Sequence, residues 1–362
     1  YGGRPVYAVA AFLAPAYTQL YRTAYLSRPD AGRLPLFAYT AVGWAGRGFY
    51  VPAVRVDRDV RQDPLQFNET TIRRRATLLL KKFPGNRLVS HLVENCVRRY
   101  HCPAAQNWAM GRWEAPIPTS PSCNASCVGC ISRQKDSGIQ STQDRLTFVP
   151  TVSEIVEYTV PHLQKAPRAV ASFGQGCEGE PLLQGELLIE AVKAIRRRTD
   201  RGIINLNSNA SRPDIVEQLC RAGLDSLRVS LNSAQPGLYT KYFSPRGYGM
   251  DDVLASIAVA AKHKKWISLN YFIFPGLTDR ADERAALLTL VKRYRIQYIQ
   301  MRNLNIDPEW YLAAMGLAEQ NRRTSGMDEW MARVRREAPW IGFGYFNPPR
   351  EVMLGLGHSC SG

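Results

Sequence analysis

The sequence predicts an α/β fold of six consecutive βα units, as a partial barrel or an open doubly wound sheet. Three observations predict it. From about residue 150, short apolar runs alternate with amphipathic helical stretches. Each run is separated from the next by a helix or a long connection. The runs also end in glycines or polar residues. Repeats of this kind dictate parallel strands with right-handed crossovers. In either architecture the C-terminal strand ends carry the chemistry. A chain of 362 residues, 45% hydrophobic, can bury a large core, so one big domain with an appendage is expected.

The elements follow in order. A short first strand is expected at residues 115–120. Thr151 and Glu154 then stand in capping-box spacing and open a helix. Residues 168–176 ("RAVASFGQG") form the second strand, and 182–199 a helix whose basic last turn suits the helix dipole. The third strand covers 202–210, and the helix 212–223 after it is closed by Gly223. A fourth strand spans 226–234, a helix 250–265 and a fifth strand 266–274. Asp279 and Asp282, at capping spacing, start the helix before the sixth strand at 296–306. Residues 310–320 and 327–340 read as helices closing the open side. Trp310, Tyr311, Trp330, Trp340 and Tyr345 are read as packing residues rather than cavity walls.

The polar residues fall at the strand ends: Glu178 and Glu180 after the second, Asn207 and Asn209 ending the third, Ser230 and Asn232 ending the fourth. Arg302 and Asn303 lie near the end of the sixth. One shared pocket requires such a repeat.

Charge is unevenly spread. Of the net +16, residues 1–112 hold 17 Lys/Arg against 6 Asp/Glu, centred on a basic helix at 71–83. A patch for nucleic acid and a plain solvated Arg-rich face both fit. No RNA-binding signature supports the former, so the solvated face is preferred. No run of about 18 apolar residues occurs. The stretch 6–17 is too short, contains Pro15 and has no cleavage site, so a cytoplasmic chain without membrane contact is expected. The 8 cysteines are too clustered for a disulfide scaffold.

Three of them, Cys123, Cys127 and Cys130 in "CNASCVGC", follow the first strand. A structural zinc site needs four ligands, and the nearest others are His101 and Cys102. A redox pair uses Cys127 and Cys130 but leaves Cys123 unexplained. A four-iron cluster on three thiolates leaves one iron open to a small molecule, and the small intervening residues let the loop wrap it.

That CxxxCxxC spacing resembles the radical S-adenosylmethionine (radical SAM) superfamily, and three further motifs agree. Gly179-Glu180-Pro181 is similar to the Gly-Gly-Glu-Pro element, "NSNAS" to the segment ending the third strand at Asn209, and "GLDSLRVSLNSAQPGLYTKY" to the fourth strand of the molybdopterin-type, elongator-like branch. The resemblance covers roughly residues 115–305. It implies a partial (βα)6 TIM-like barrel with an N-terminal mainly helical extension. It implies a [4Fe-4S] cluster on Cys123, Cys127 and Cys130, and S-adenosyl-L-methionine held by Gly179, Glu180, Pro181, Asn209, Ser230, Asn232 and Arg302. Glu180 would hold the methionine amino group. Reductive cleavage of the cofactor would give a 5′-deoxyadenosyl radical that abstracts hydrogen from substrate. An electron donor such as flavodoxin or ferredoxin is implied as partner. Two departures stand out: Gly129 occupies a position often aromatic in the family, and Glu178, preceded by Cys177, replaces a glycine. Cys177 is read as a small buried thiol.

The expected organisation is a basic N-terminal cap at 1–112, a core at 113–306 and a helical closing segment at 307–362. Cys96, Cys102 and Cys360, with His101 and His358 nearby, are candidates for an auxiliary cluster or metal site, though ordinary thiols are preferred. The substrate is expected to be a peptide, an amino-acid-derived metabolite or a cofactor precursor, with tRNA as alternative. A zinc-stabilised nucleic-acid-binding protein is the competing class.

Overall fold

In the computed structural model, which describes residues 10–134, 137–317 and 323–355, seven parallel strands form one sheet. They are β1 (Glu114–Ile117), β2 (Val170–Phe173), β3 (Ile203–Ser208), β4 (Ser226–Leu231), β5 (Trp266–Ile273), β6 (Tyr298–Asn303) and β7 (Gly342–Gly344). Each strand pairs with its successor in the chain. A doubly wound sheet reverses strand order at a switch point. This one does not, so it is a partial barrel.

Alternation within the strands decides what faces where. Leu227, Val229, Leu231, Ile267, Leu269, Ile299 and Met301 are fully buried on the helix-covered side. The intervening residues are polar and come into register: Arg228 opposite Asn207 and Ser268, Ser230 opposite Asn270, and Asn270 opposite Gln300. They line the barrel interior, where Arg228 Nη1 donates to Gln300 Oε1 at 2.9 Å.

The outer layer is α1 (Val152–Lys165), α2 (Gly185–Arg196), α3 (Pro213–Ala222), α4 (Pro236–Phe243), α5 (Met250–Lys262), α6 (Ala281–Tyr294), α7 (Pro308–Met315) and α8 (Met327–Glu337). The capping box of Thr151 and Glu154 opens α1. Gly223, at φ 114°, closes α3 as a left-handed cap that a side chain would strain. Tyr311 and Trp330 are fully buried, as packing residues should be.

Two expectations fail. The seventh strand was not anticipated, because it is three residues long with two glycines. Those glycines are required: a Cβ on Gly344 would fall 1.7 Å from the Tyr298 hydroxyl. Asp279 does not cap α6, whose N-cap is Arg280. Its carboxylate instead accepts from the Gly276 and Gly326 N–H groups at 2.7 and 2.9 Å, tying two loops together.

The extension is helical over Glu69–Lys82, Arg87–His91, the π-helical Leu92–Arg99 and Pro103–Ala109. Before them, short antiparallel pairs join 10–12 with 39–41, 17–19 with 53–55 and 43–45 with 48–50. Asn303 secures this segment to β6. Its Oδ1 accepts from Gln19 N–H at 2.8 Å and its Nδ2 donates to Tyr17 O at 2.7 Å. Asn303 therefore serves the extension rather than the barrel mouth.

Candidate active site

The three-cysteine loop leaves β1 and is gripped from two sides. On one side Gly179 N–H donates to Ser120 O and Glu180 N–H to Ser122 O, both at 2.7 Å. A Cβ on Gly179 would fall 1.9 Å from Ser122 O, so this approach is open to glycine alone. On the other side Ser126 and Val128 N–H groups donate to Phe243 O and Tyr242 O at the end of α4. Gly129 lies so close to Ile306 that a Cβ would come 2.4 Å from its Cδ1. An aromatic residue has no room there, which accounts for that departure.

Held in this way, Cys123, Cys127 and Cys130 face a cavity at the C-terminal ends of the strands. Gly179, Glu180 and Pro181 form the adjoining wall, and Asn209, Ser230, Asn232 and Arg302 line the rest. Every residue singled out for the cofactors in the sequence thus borders one space.

Glu180 is fixed by three donors. Oε1 accepts from Ser208 Oγ at 2.5 Å and Leu182 N–H at 3.0 Å, and Oε2 from Asn209 N–H at 2.9 Å. A carboxylate has about four acceptor directions, so one remains. Burial pushes its pKa up to about 7 against the pull of those donors. Glu178 turns away from ligand duty. It accepts from the N–H groups of Thr119, Ser120 and Gln175 at 2.7–2.9 Å and pins the end of β1. Burial pushes it, too, up to about 7.

Burial disfavours the thiolate form of Cys123 and Cys127. Burial first, then Cys130 and Cys123, push Cys127 well up. Burial and Glu180 push Cys123 up. A bound cation must displace those protons. A single zinc is a poor match. Among the described residues, the only His/Cys/Asp/Glu donor set gathered within 4.8 Å is His91, Cys96 and Cys177. The loop brings three thiols and no fourth thiol to the cavity, which suits a cluster with one iron left open.

Three cavity residues escaped sequence reasoning. Asn270 lines the space with Oδ1 buried and unpartnered, and the polar alternation of β5 in register with Ser230 could have revealed it. Phe272 sits under the Arg302 guanidinium at 5.3 Å. Arg145 reaches Cys130 Sγ at 3.6 Å and Ser132 Oγ at 3.1 Å. It has no sequence signal, because a folded-back loop delivers it. Of the proposed auxiliary donors, Cys360 and His358 lie outside the described residues, as do 318–320 of the expected helix. Cys96 faces Cys177 instead, Sγ to Sγ at 3.6 Å.

With this geometry in hand, residues 117–288 match the radical SAM superfamily model. The GTP 3′,8-cyclase of Microcystis aeruginosa is 26% identical over 181 residues, 49% of this chain and 53% of that protein. A probable GTP 3′,8-cyclase of Thermococcus kodakarensis is 32% identical over 102 residues, 28% of this chain and 32% of that one. The chain spans about half the length of the Microcystis relative. Among solved structures, a radical SAM methyltransferase from Sphaerobacter thermophilus aligns with TM-score 0.44 and 17% identity, covering 65% of this chain and 66% of that one. Streptococcus suis SuiB bound to S-adenosylmethionine aligns with TM-score 0.44 and 14% identity, covering 67% of this chain and 51% of that one. No helix among the described residues is long and apolar enough to cross a membrane.

Proposed function

Residues 117–288 make this chain a member of the radical SAM superfamily, whose cofactors are a [4Fe-4S] cluster and S-adenosylmethionine, and on that premise we propose that it cleaves S-adenosylmethionine reductively to oxidise or modify an anionic small molecule. The convergence of the three thiols and seven further candidate ligands on one cavity carries this reading.

In it, Cys123, Cys127 and Cys130 hold the cluster. A cluster held there would supply one electron for reductive cleavage of S-adenosylmethionine, and the cofactor would supply the radical chemistry that removes hydrogen from substrate. The chain's own residues do the placing. Glu180 offers its remaining acceptor direction to the cofactor's ammonium group. Asn209, Ser230 and Asn232 offer polar atoms for its ribose or carboxylate. Asn270, with an unsatisfied buried oxygen, awaits a donor from a bound ligand. Ile306 and Tyr242 fill the space opposite Gly129 that would otherwise receive the adenine-flanking aromatic.

Electrons have a short route. Cys127 and Cys130 also border an outer groove with Arg33, Arg133, Arg145 and Arg246. Four cations beside the cluster loop suit an acidic donor protein such as flavodoxin or ferredoxin.

A second reading concerns the substrate. The relatives are named GTP 3′,8-cyclases, and Arg145 and Arg302 place positive charge in the cavity, so a purine nucleotide is the first candidate. A peptide, another metabolite or an RNA remains the alternative. Incubating the reconstituted protein with deuterated GTP, peptide or RNA and reading deuterium in 5′-deoxyadenosine separates them. Transfer from GTP alone supports the nucleotide reading, and transfer from another class overturns it.

A further inference from the structure

The second thiol cluster lies outside the barrel mouth. Sγ of Cys96, Sγ of Cys177 and a ring nitrogen of His91 all lie within 4.8 Å of one another. Both cysteines are buried. His91 Nε2 is buried as well and makes no well-formed hydrogen bond, its ring having the Cys177 thiol as a polar neighbour. Cys96 sits in the π-helical stretch Leu92–Arg99, a conformation that is rare and frequent at functional sites. His91 ends the preceding helix, and Cys177 belongs to the loop between β2 and Glu180.

We propose that His91, Cys96 and Cys177 form a zinc site that ties the N-terminal helical segment to the cavity loop. The 3.6 Å between the two sulfurs is close to the edge of a zinc–thiolate tetrahedron, roughly 3.8 Å for bonds of about 2.3 Å. A disulfide would need them at about 2.05 Å, a far larger movement in a packed interior. One imidazole and two thiolates are soft and borderline donors of the kind zinc selects. These three donors leave the fourth tetrahedral position to a water molecule. Binding releases two thiol protons and leaves a neutral site.

The consequence reaches the cavity. Cys177 is followed directly by Glu178, which pins the end of β1, and by Gly179, which clasps the cysteine loop. An ion at Cys177 therefore braces the wall on which the proposed chemistry depends, though its binding does not require that chemistry.

The test uses the full chain with Cys123, Cys127 and Cys130 all changed to Ala, so that no cluster interferes and failure of the cluster reading cannot mimic failure of this one. About one zinc per chain by elemental analysis is expected, with cobalt(II) giving the intense visible bands of tetrahedral thiolate ligation. Adding Cys177→Ser or His91→Gln should weaken zinc binding at least about tenfold, while far-ultraviolet circular dichroism stays native. A chelator should lower the melting temperature of the parent and leave that of Cys177→Ser unchanged. Substoichiometric zinc with weak octahedral cobalt bands overturns the proposal. So does a Cys96–Cys177 disulfide found by mass spectrometry, or zinc retention indifferent to both substitutions. Should Cys177→Ser fail to fold, His91→Gln and the chelator shift of the parent decide alone.

Discussion

Gly179 lies so close to Ser122 that a Cβ on it would come 1.9 Å from the Ser122 carbonyl oxygen. Because the obstacle is backbone, no rotamer relieves it. Gly179→Ala should therefore push the cysteine loop off its seat and cost about 1–3 kcal/mol or more of stability. Thermal unfolding together with the affinity for S-adenosylmethionine reads both effects. A variant with native melting and native affinity contradicts the seating described here.

Glu180 makes cofactor binding depend on pH. Its folded pKa near 7 means the carboxyl is largely neutral below that value in the free protein, whereas an ammonium partner requires the anion. Affinity should rise by up to about tenfold per pH unit from 5 to 7 and level off above. Equilibrium dialysis across that range, with Glu180→Gln as reference, isolates the effect. Equal slopes for both proteins would place the ammonium elsewhere.

His162 governs stability at the other end of the fold. Buried on α1 with Nε2 at 2.8 Å from Trp113 O, it is pushed down to about 4 by burial. The folded state thus binds fewer protons than the unfolded one between pH 6.5 and 4. Stability is complete above about 6.5 and falls by about 3 kcal/mol as pH drops toward 4. Denaturant titrations of wild type and His162→Gln should converge in that window. If their difference is independent of pH, the histidine is not buried neutral.

The outer arginines predict a donor-specific defect. Arg133→Glu should reduce turnover with flavodoxin several-fold at low salt, while turnover with dithionite stays near wild type. Equal losses with both reductants would locate Arg133 in substrate or cofactor binding instead.

The barrel and the position of its mouth were legible because hydrophobic period and strand-end polarity are local signals. Thr151 with Glu154 and Gly223 announced helix ends that the fold uses. The seventh strand was not legible, since "GFG" has no strand pattern and pairs only because Tyr298 lies over bare glycine. Asp279 misled because capping spacing also serves a loop tie. The approach of Cys96 to Cys177 and His91 was not legible either, because the three come from separate segments and are brought together only by tertiary packing. Arg145, likewise, is a cavity residue by virtue of a fold-back that composition cannot encode.

The central claim is that the loop thiols support reductive cleavage of S-adenosylmethionine. The direct measurement is 5′-deoxyadenosine formed by the anaerobically reconstituted chain with dithionite and S-adenosylmethionine, beside Cys127→Ala prepared identically. About four irons per chain and 5′-deoxyadenosine from the wild type are expected, with the product lost in the variant. A wild-type chain that binds zinc alone and forms no 5′-deoxyadenosine would contradict that claim.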